Sequence, residues 1–253
     1  SATECRTCFS EVFVKKLMGK NLIQQARGKG GPRYRAPSFR YKGECKYADF
    51  SAETLVGKII EFIDSQGHNA PLAQIRYENG TIALVQAPEG VKIGDKVEMG
   101  ENVDVKNGNI MPLKSIPEGV SIYNIESFPG DGGKFVKSSG GFAKIITKMQ
   151  NTIVVEMPSS KRRDFLPECR ATIGVIAGSG RKEKPFLKAG TRYWAMKAKN
   201  KLWPQVSGTS MNAVDHPFGA SRVSKGGPTQ SSRNAPPGRK VGKIAPKRTG
   251  KLR

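Results

Sequence analysis

The side chains that could carry chemistry in this chain are few, and most of their spacings fail the chemistry they suggest. Cys5-Arg6-Thr7-Cys8 has the spacing of half a zinc knuckle. A structural zinc site takes four ligands, and neither a second C-x-x-C nor an H-x-x-x-H follows, so zinc at Cys5/Cys8 is not expected. Cys45 and Cys169 read as reduced, buried or idle thiols. Imidazole is limited to His68 and His216. His68 lies in the polar loop Ser65-Gln-Gly-His-Asn69 and reads as a surface residue. Gly238-Arg-Lys-Val-Gly-Lys243 is one residue short of a phosphate-binding loop, with Ile244 where a Mg²⁺-binding Ser or Thr is needed. Neither Gly28 to Gly31 nor Gly130-Asp-Gly-Gly133 fits the strand–turn–helix frame of a dinucleotide site. A metal-dependent RNA hydrolase would need clustered acids or paired imidazoles, and neither stands out.

Cations interleaved with aromatics form the stronger pattern. Gly28-Lys-Gly-Gly-Pro-Arg-Tyr-Arg-Ala-Pro-Ser-Phe-Arg-Tyr41 has no strand or helix period. It sets Arg27, Lys29, Arg33, Arg35 and Arg40 beside Phe39 and Tyr41, a composition suited to phosphates and unstacked bases. From Pro185 to Lys201 a short helix is predicted, and Arg181, Arg192, Trp194, Lys197, Lys199 and Trp203 are candidate contacts on and around it. Beyond Gly208 the chain is mostly Gly, Pro, Ser and cations, and alone it should be disordered. Its candidates are Met211, Asn212, Asp215, His216, Arg222, Lys225, Arg233, Arg239, Lys240, Lys243, Lys247 and Arg248.

Those segments must be carried by something else, and the charge map says where. The 253 residues hold 43 Lys and Arg against 21 Asp and Glu, a net charge of +22. Lys15 to Tyr47 carries +9 and Arg181 to Arg253 carries +16, whereas Ala48 to Gly180 carries −2. A nearly neutral body therefore has two cationic ends, and a charge this large strains a compact monomer unless a polyanion neutralises it. RNA is favoured over duplex DNA because no helix-turn-helix, zinc-finger or basic-zipper pattern occurs. Mean hydropathy is −0.47, and no run approaches the ~18 apolar residues of a membrane span. Ser1 to Ser10 lacks the order of a signal peptide, so a soluble, intracellular protein without a membrane partner is expected.

The body reads as β-structure. Strands are predicted at 55–63, 71–77, 81–86, 91–99, 120–125, 143–147, 151–157 and 171–177, where β-branched runs alternate with Gly and Ser turns. Asn79-Gly80 predicts a hairpin with both turn residues at positive φ. Met111 to Pro117 reads as a linker. The fold class is mainly β: an OB-like barrel over 50–111, then a second β-barrel over 112–184, flanked by basic segments at 18–49 and 185–253 and a leader of uncertain order at 1–17.

The segment Gly208-Thr-Ser-Met-Asn-Ala-Val-Asp-His-Pro-Phe-Gly219 resembles the V-x-G-x-x-M-N-P-V-D-H-P-x-G-G signature of the universal large-subunit ribosomal protein family called L-two. Further segments agree in order, among them Phe128-Pro-Gly-Asp-Gly-Gly133, Ser138-Ser-Gly-Gly141, Glu168-Cys-Arg-Ala-Thr-Ile-Gly174 and Leu187-Lys-Ala-Gly190. The resemblance covers Met18 to Arg253, and the ending from Ala235 to Gly250 looks like the archaeal and eukaryotic branch. Ala213 stands where the motif usually has Pro, and Ala220 where a further Gly is usual. Ser1 to Leu17 precedes Met18-Gly-Lys, which looks like the family's ordinary start, so the leader reads as an extension.

The resemblance implies an OB-fold barrel followed by an SH3-like barrel, with extended basic N- and C-terminal segments threaded into large-subunit rRNA. It implies cytoplasmic ribosomes, neighbouring large-subunit proteins, the small subunit across the intersubunit face, and no homo-oligomer. The family supports subunit association and assembly of the peptidyl-transferase region, where RNA is the catalyst. No enzyme activity is expected, and no cofactor beyond structural Mg²⁺ carried by the RNA. His216 matches the family's much-discussed histidine. A catalytic reading makes it a proton shuttle; the preferred reading makes Asp215-His216-Pro217 an RNA-braced turn, because no second base, nucleophile or metal set accompanies it. The rival function is a general OB-type RNA chaperone acting on single strands.

Overall fold

The computed structural model describes residues 23–49, 54–219 and 230–248. The chain divides into two compact units, residues 37–191 and residues 1–36 with 192–253.

The first unit is the β body. Its strands are β1 (Leu55–Ile63), β2 (Leu72–Tyr77), β3 (Ile82–Gln86), β4 (Lys96–Met99), β5 (Ile110–Pro112), β6 (Ser121–Tyr123), β7 (Ala143–Lys148), β8 (Ile153–Glu156), β9 (Arg162–Phe165) and β10 (Arg170–Ile173). They form one sheet in the order β3-β2-β1-β4-β5-β10-β6-β7-β8-β9. Every pairing is antiparallel except β4 with β5, which meet in parallel at Met99 and Ile110.

Two large apolar cores lie on this sheet, with a small third cluster of Ala70, Tyr123 and Ile176. Ile59, Ile75, Tyr77, Val85, Val97, Met99 and Ile110 belong to the first, and Met111, Ile122, Ile145, Val155, Phe165, Ala171 and Ile173 to the second. Strand alternation explains how one sheet serves both, since successive side chains point to opposite faces. Ile110 enters the first core and Met111 the second, so β5 is a shared wall. The predicted linker from Met111 to Pro117 is thereby corrected: it completes β5, and Leu113 and Ile116 are fully buried. β9 was not anticipated because three of its four residues are exposed and charged, and only Phe165 is buried.

The hairpin at Asn79-Gly80 forms, with a different turn. Only Gly80 is left-handed, at φ 81°, and its N–H donates to Tyr77 C=O, while Asn79 Oδ1 accepts from Thr81 N–H. A three-residue loop ending in a left-handed glycine needs no positive φ at Asn79.

Where the two cores meet, a buried ion pair ties loop to strand. Arg170 on β10 sends Nη2 to Glu126 Oε1 at 2.6 Å and Nη1 to the Ala48 carbonyl at 2.9 Å. Glu126 also accepts the backbone N–H groups of Arg170 and Gly132. Tyr47 Oη donates to the Asn124 carbonyl, and its partner Thr172 Oγ1 lies 2.6 Å away. Buried charges are tolerated when every lone pair and proton is used in this way.

The second unit contains helix α1 (Ile23–Gly28), most of helix α2 (Ala189–Ala198) and two short parallel strands, β11 (Gln230–Ser231) and β12 (Lys243–Ile244). Helix α2 is shorter than the predicted 185–201 and buries none of its residues. The tail expected to be disordered alone has local order at 208–219 and 230–248. Ser231 Oγ donates to the Val241 carbonyl at 2.6 Å, lies 3.0 Å from the Arg239 carbonyl and accepts from Val241 N–H, and Val241 is buried there. No described helix is long and apolar enough to cross a membrane.

Candidate nucleic-acid interface

A phosphate contact requires an exposed cation held where it cannot fold back onto the protein's own carboxylates. In the unit of residues 1–36 and 192–253, Arg27 lies in the last turn of α1, Lys29 just beyond it, and Arg33 in a 3-10 turn over Pro32–Tyr34 followed by extended Arg35; all four are exposed. Asn200, left-handed at φ 50°, donates from Nδ2 to the carbonyls of Pro32 and Arg35 at 2.7 Å each. That contact pins the arginine-bearing segment beside the C-terminal end of α2, although more than 160 residues separate them in sequence.

The aromatics there are paired with cations. The Arg192 guanidinium lies 5.6 Å from the Trp203 ring centre. Lys197 Nζ lies 4.7 Å from Trp194 and 5.9 Å from Tyr193, and the two rings meet edge to face. Trp194 is 63% exposed, a cost in water that stacking on a base would remove. Lys199 and Trp203 are half-buried.

The loop carrying His216 is built by two close approaches. A side chain at Gly208 would push the His216 ring aside, and one at Gly219 would run into the Asn212 carbonyl, so Gly219 requires glycine and Gly208 keeps the ring in place. His216 Nδ1 accepts Phe218 N–H at 3.0 Å, which leaves Nε2 as the position for the proton of a neutral ring. Phe218 also packs its ring 4.9 Å from the imidazole. Met211, Asp215 and His216 are half-buried and Asn212 exposed. With Arg27 and Lys243, Met211, Asp215 and His216 line a cavity of ≈ 510 Å³. Arg233, Arg239, Lys240, Lys243, Lys247 and Arg248 are exposed, and Arg239 reaches the Pro217 carbonyl at 3.4 Å. Arg222 and Lys225 lie outside the described residues, as do Cys5 and Cys8.

In the body unit, Phe39 is 83% exposed with the Arg40 guanidinium 5.3 Å from its ring centre. Tyr41 is half-buried. Arg181 is exposed and donates from Nε to Ser139 Oγ at 2.9 Å. Sequence reading missed Arg163, whose guanidinium lies 4.2 Å from the Phe135 ring, because no aromatic neighbours it at a local spacing except Phe165. It also missed the half-buried state of His68, whose pKa is lowered by burial and by Lys137; the expectation of a plain surface residue is corrected. Among the described residues, no three His, Cys, Asp or Glu side chains gather to hold a metal.

Fold and surface together define a mainly β protein that displays cation–aromatic pairs at its ends. Comparison with known proteins places it more closely. Residues 106–241 match the family model described as Ribosomal Proteins L2, C-terminal domain. Large ribosomal subunit protein uL2 of Methanococcus aeolicus is 50% identical over 239 residues, covering 92% of this chain and 100% of that protein. The uL2 of Methanothermobacter thermautotrophicus is 51% identical over 241 residues, with 93% and 100% covered, and that of Archaeoglobus fulgidus is 50% identical over 234, with 92% and 99% covered. The chain belongs to the uL2 family of large ribosomal subunit proteins. The relatives are archaeal, in keeping with the branch indicated by the C-terminal sequence.

Proposed function

We propose that this chain is a structural constituent of the large subunit of cytoplasmic ribosomes, bound to large-subunit rRNA through its cationic segments. It supports subunit association and assembly of the peptidyl-transferase region without being an enzyme. Membership of the uL2 family over most of the chain carries this reading. Its physical support is the exposure of Arg33, Arg35, Arg40, Arg239, Lys240 and Lys247, which leaves their charges available to phosphate. His216 braces a turn: its Nδ1 is committed to Phe218 N–H, and Nε2–H can donate to an RNA oxygen. The chain needs no cofactor of its own; Mg²⁺ comes with the RNA. Other large-subunit proteins and the small subunit are its further partners, and it acts as a single copy.

Sedimentation of the tagged chain from lysate through a high-salt sucrose gradient tests this. The expected outcome is co-migration with the large subunit at about one copy each, since multiple phosphate contacts and ordered termini resist release. Recovery in the light fractions, with equal binding to any single strand, would favour the chaperone instead.

A further inference from the structure

Within the body unit a cavity of ≈ 660 Å³ opens beside the turn between β1 and β2, within the 300–1,000 Å³ typical of small-ligand sites. Its walls come from three separate stretches. Tyr41 follows the 3-10 turn Ser38–Arg40 and lies flat on Gly67, where a Cβ would stand 2.8–2.9 Å from the ring carbons. His68 is fixed by its own turn: His68 N–H donates to Ser65 C=O, and Nδ1 lies 3.1 Å from the buried Ser65 Oγ. The two ring centres are 6.4 Å apart, tilted by 59°.

The opposite wall is cationic. Lys137 donates from Nζ to the Cys45 and Gly133 carbonyls at 2.9 and 3.0 Å, clamping the Phe128–Gly133 loop to the N-terminal segment. The Lys46 stem lies across Gly132, where a side chain would strike its Cβ and Cγ. Lys46 pairs with Glu44 at 2.9 Å and Lys134 with Asp131 at 3.3 Å, so the lining carries three lysines against two carboxylates. The Lys46–Glu44 pair is exposed at both ends, so its attraction is weak in water and yields to a phosphate, and the Lys134 ammonium is exposed although the side chain of its partner Asp131 is only 9% exposed.

We propose that this cavity receives one unpaired RNA nucleotide, its base against Tyr41 and His68 and its phosphate on Lys46, Lys134 and Lys137. The inference rests on the reading of the chain as an rRNA binder and names a site for it. Two half-buried rings in van der Waals reach of one opening suit a planar base, which every nucleotide supplies. An inorganic anion would use the lysines and leave the rings idle, and an apolar ligand would leave the lysines unused. Burial and Lys137 lower the His68 pKa and so favour the neutral ring, which meets the base as a stacking and hydrogen-bonding partner rather than as another cation.

The full chain contains only His68 and His216 as histidines, so proton NMR reads the site directly, with His216→Gln used to assign the resonances. Titration with AMP is expected to shift the His68 Cε1 proton saturably, while inorganic phosphate at the same concentration does not. Tyr41→Ala should weaken AMP about tenfold, in line with loss of one base–aromatic stack, and Tyr41→Phe should retain it. Gly67→Ala, which displaces the ring without removing it, should act like Tyr41→Ala and guards against a folding defect in the latter. A full shift with phosphate alone would reduce the site to an anion trap and overturn the proposal. No shift with any of the four mononucleotides, in protein that still binds an rRNA fragment, would overturn the cavity's role and leave rRNA binding intact. Failure to bind the rRNA fragment at low salt would defeat both.

Discussion

At the residue scale the most constrained group is Arg170. Its guanidinium holds Glu126 and the Ala48 carbonyl and lies 5.3 Å from the Tyr47 ring centre, and all of these residues are buried. Arg170→Met is expected to lower unfolding free energy by about 3–5 kcal/mol, because it leaves the Glu126 carboxylate buried without its counterion. Denaturant melts followed by tryptophan-independent far-UV signal would read this, and a loss below ~1 kcal/mol would show the pair to be dispensable. The buried thiols give a second expectation. Burial pushes Cys45 and Cys169 up to about 11, from an ordinary value of 9.0. Below pH 9 folded and unfolded chains both hold these protons; between pH 9 and 11 only the unfolded chain loses them. Stability therefore falls as pH rises through that window, by roughly 1–3 kcal/mol for Cys45 alone. Iodoacetamide at pH 8 should leave the Cys45 and Cys169 peptides unlabelled in native protein and label them in urea.

At the element scale the loop around His216 depends on what is absent. Gly208 faces the imidazole and Gly219 faces the Asn212 carbonyl with no room for a methyl group. Gly208→Ala should displace the His216 ring, break its bond to Phe218 N–H, and weaken rRNA-fragment binding about as much as His216→Ala does. Adding Gly208→Ala to His216→Ala should then cost little more, since the ring it displaces is already gone; full additivity of the two losses would disprove the coupling. The loop's composition marked it in the sequence, whereas the ring-on-glycine packing did not, because Gly208 and His216 touch only after the chain turns back. The strands show the same division. β1 was legible to its ends, at Leu55 and Ile63, from a run rich in β-branched residues that stops at Asp64-Ser65-Gln66-Gly67. β5 was not, because Met111-Pro-Leu-Lys-Ser-Ile-Pro117 carries two prolines that read as a linker, and only Ile110 and Met111 facing different cores make it a wall. Tyr41 was legible as an RNA-contact candidate, but His68 was not, since its ring partner and Lys137 lie 27 and 69 positions away in the chain.

At the scale of the whole molecule, charge and fold are segregated. The body from Ala48 to Gly180 has a net charge of −2 and buries two apolar cores, so it can fold without a polyanion. The ends, at +9 and +16, carry much self-repulsion, and among their described residues the buried apolar side chains are few, Cys45, Tyr47 and Val241 being the main ones. Binding should therefore be driven by the release of counterions from RNA, with the ends contributing nearly all of it. If they neutralise about ten phosphates, the slope of log affinity against log salt should be about −7 to −9. Removing residues 230–253 should flatten that slope, because six of the exposed cations lie between Arg233 and Arg248. Replacing Arg33, Arg35 and Arg40 by lysine keeps the charge, so the slope should hold while affinity falls, guanidinium groups being able to fork onto phosphate or stack where ammonium groups cannot. A slope near −2 in the intact chain would place recognition in the neutral body instead, and an unchanged affinity in the lysine variant would reduce the arginines to point charges.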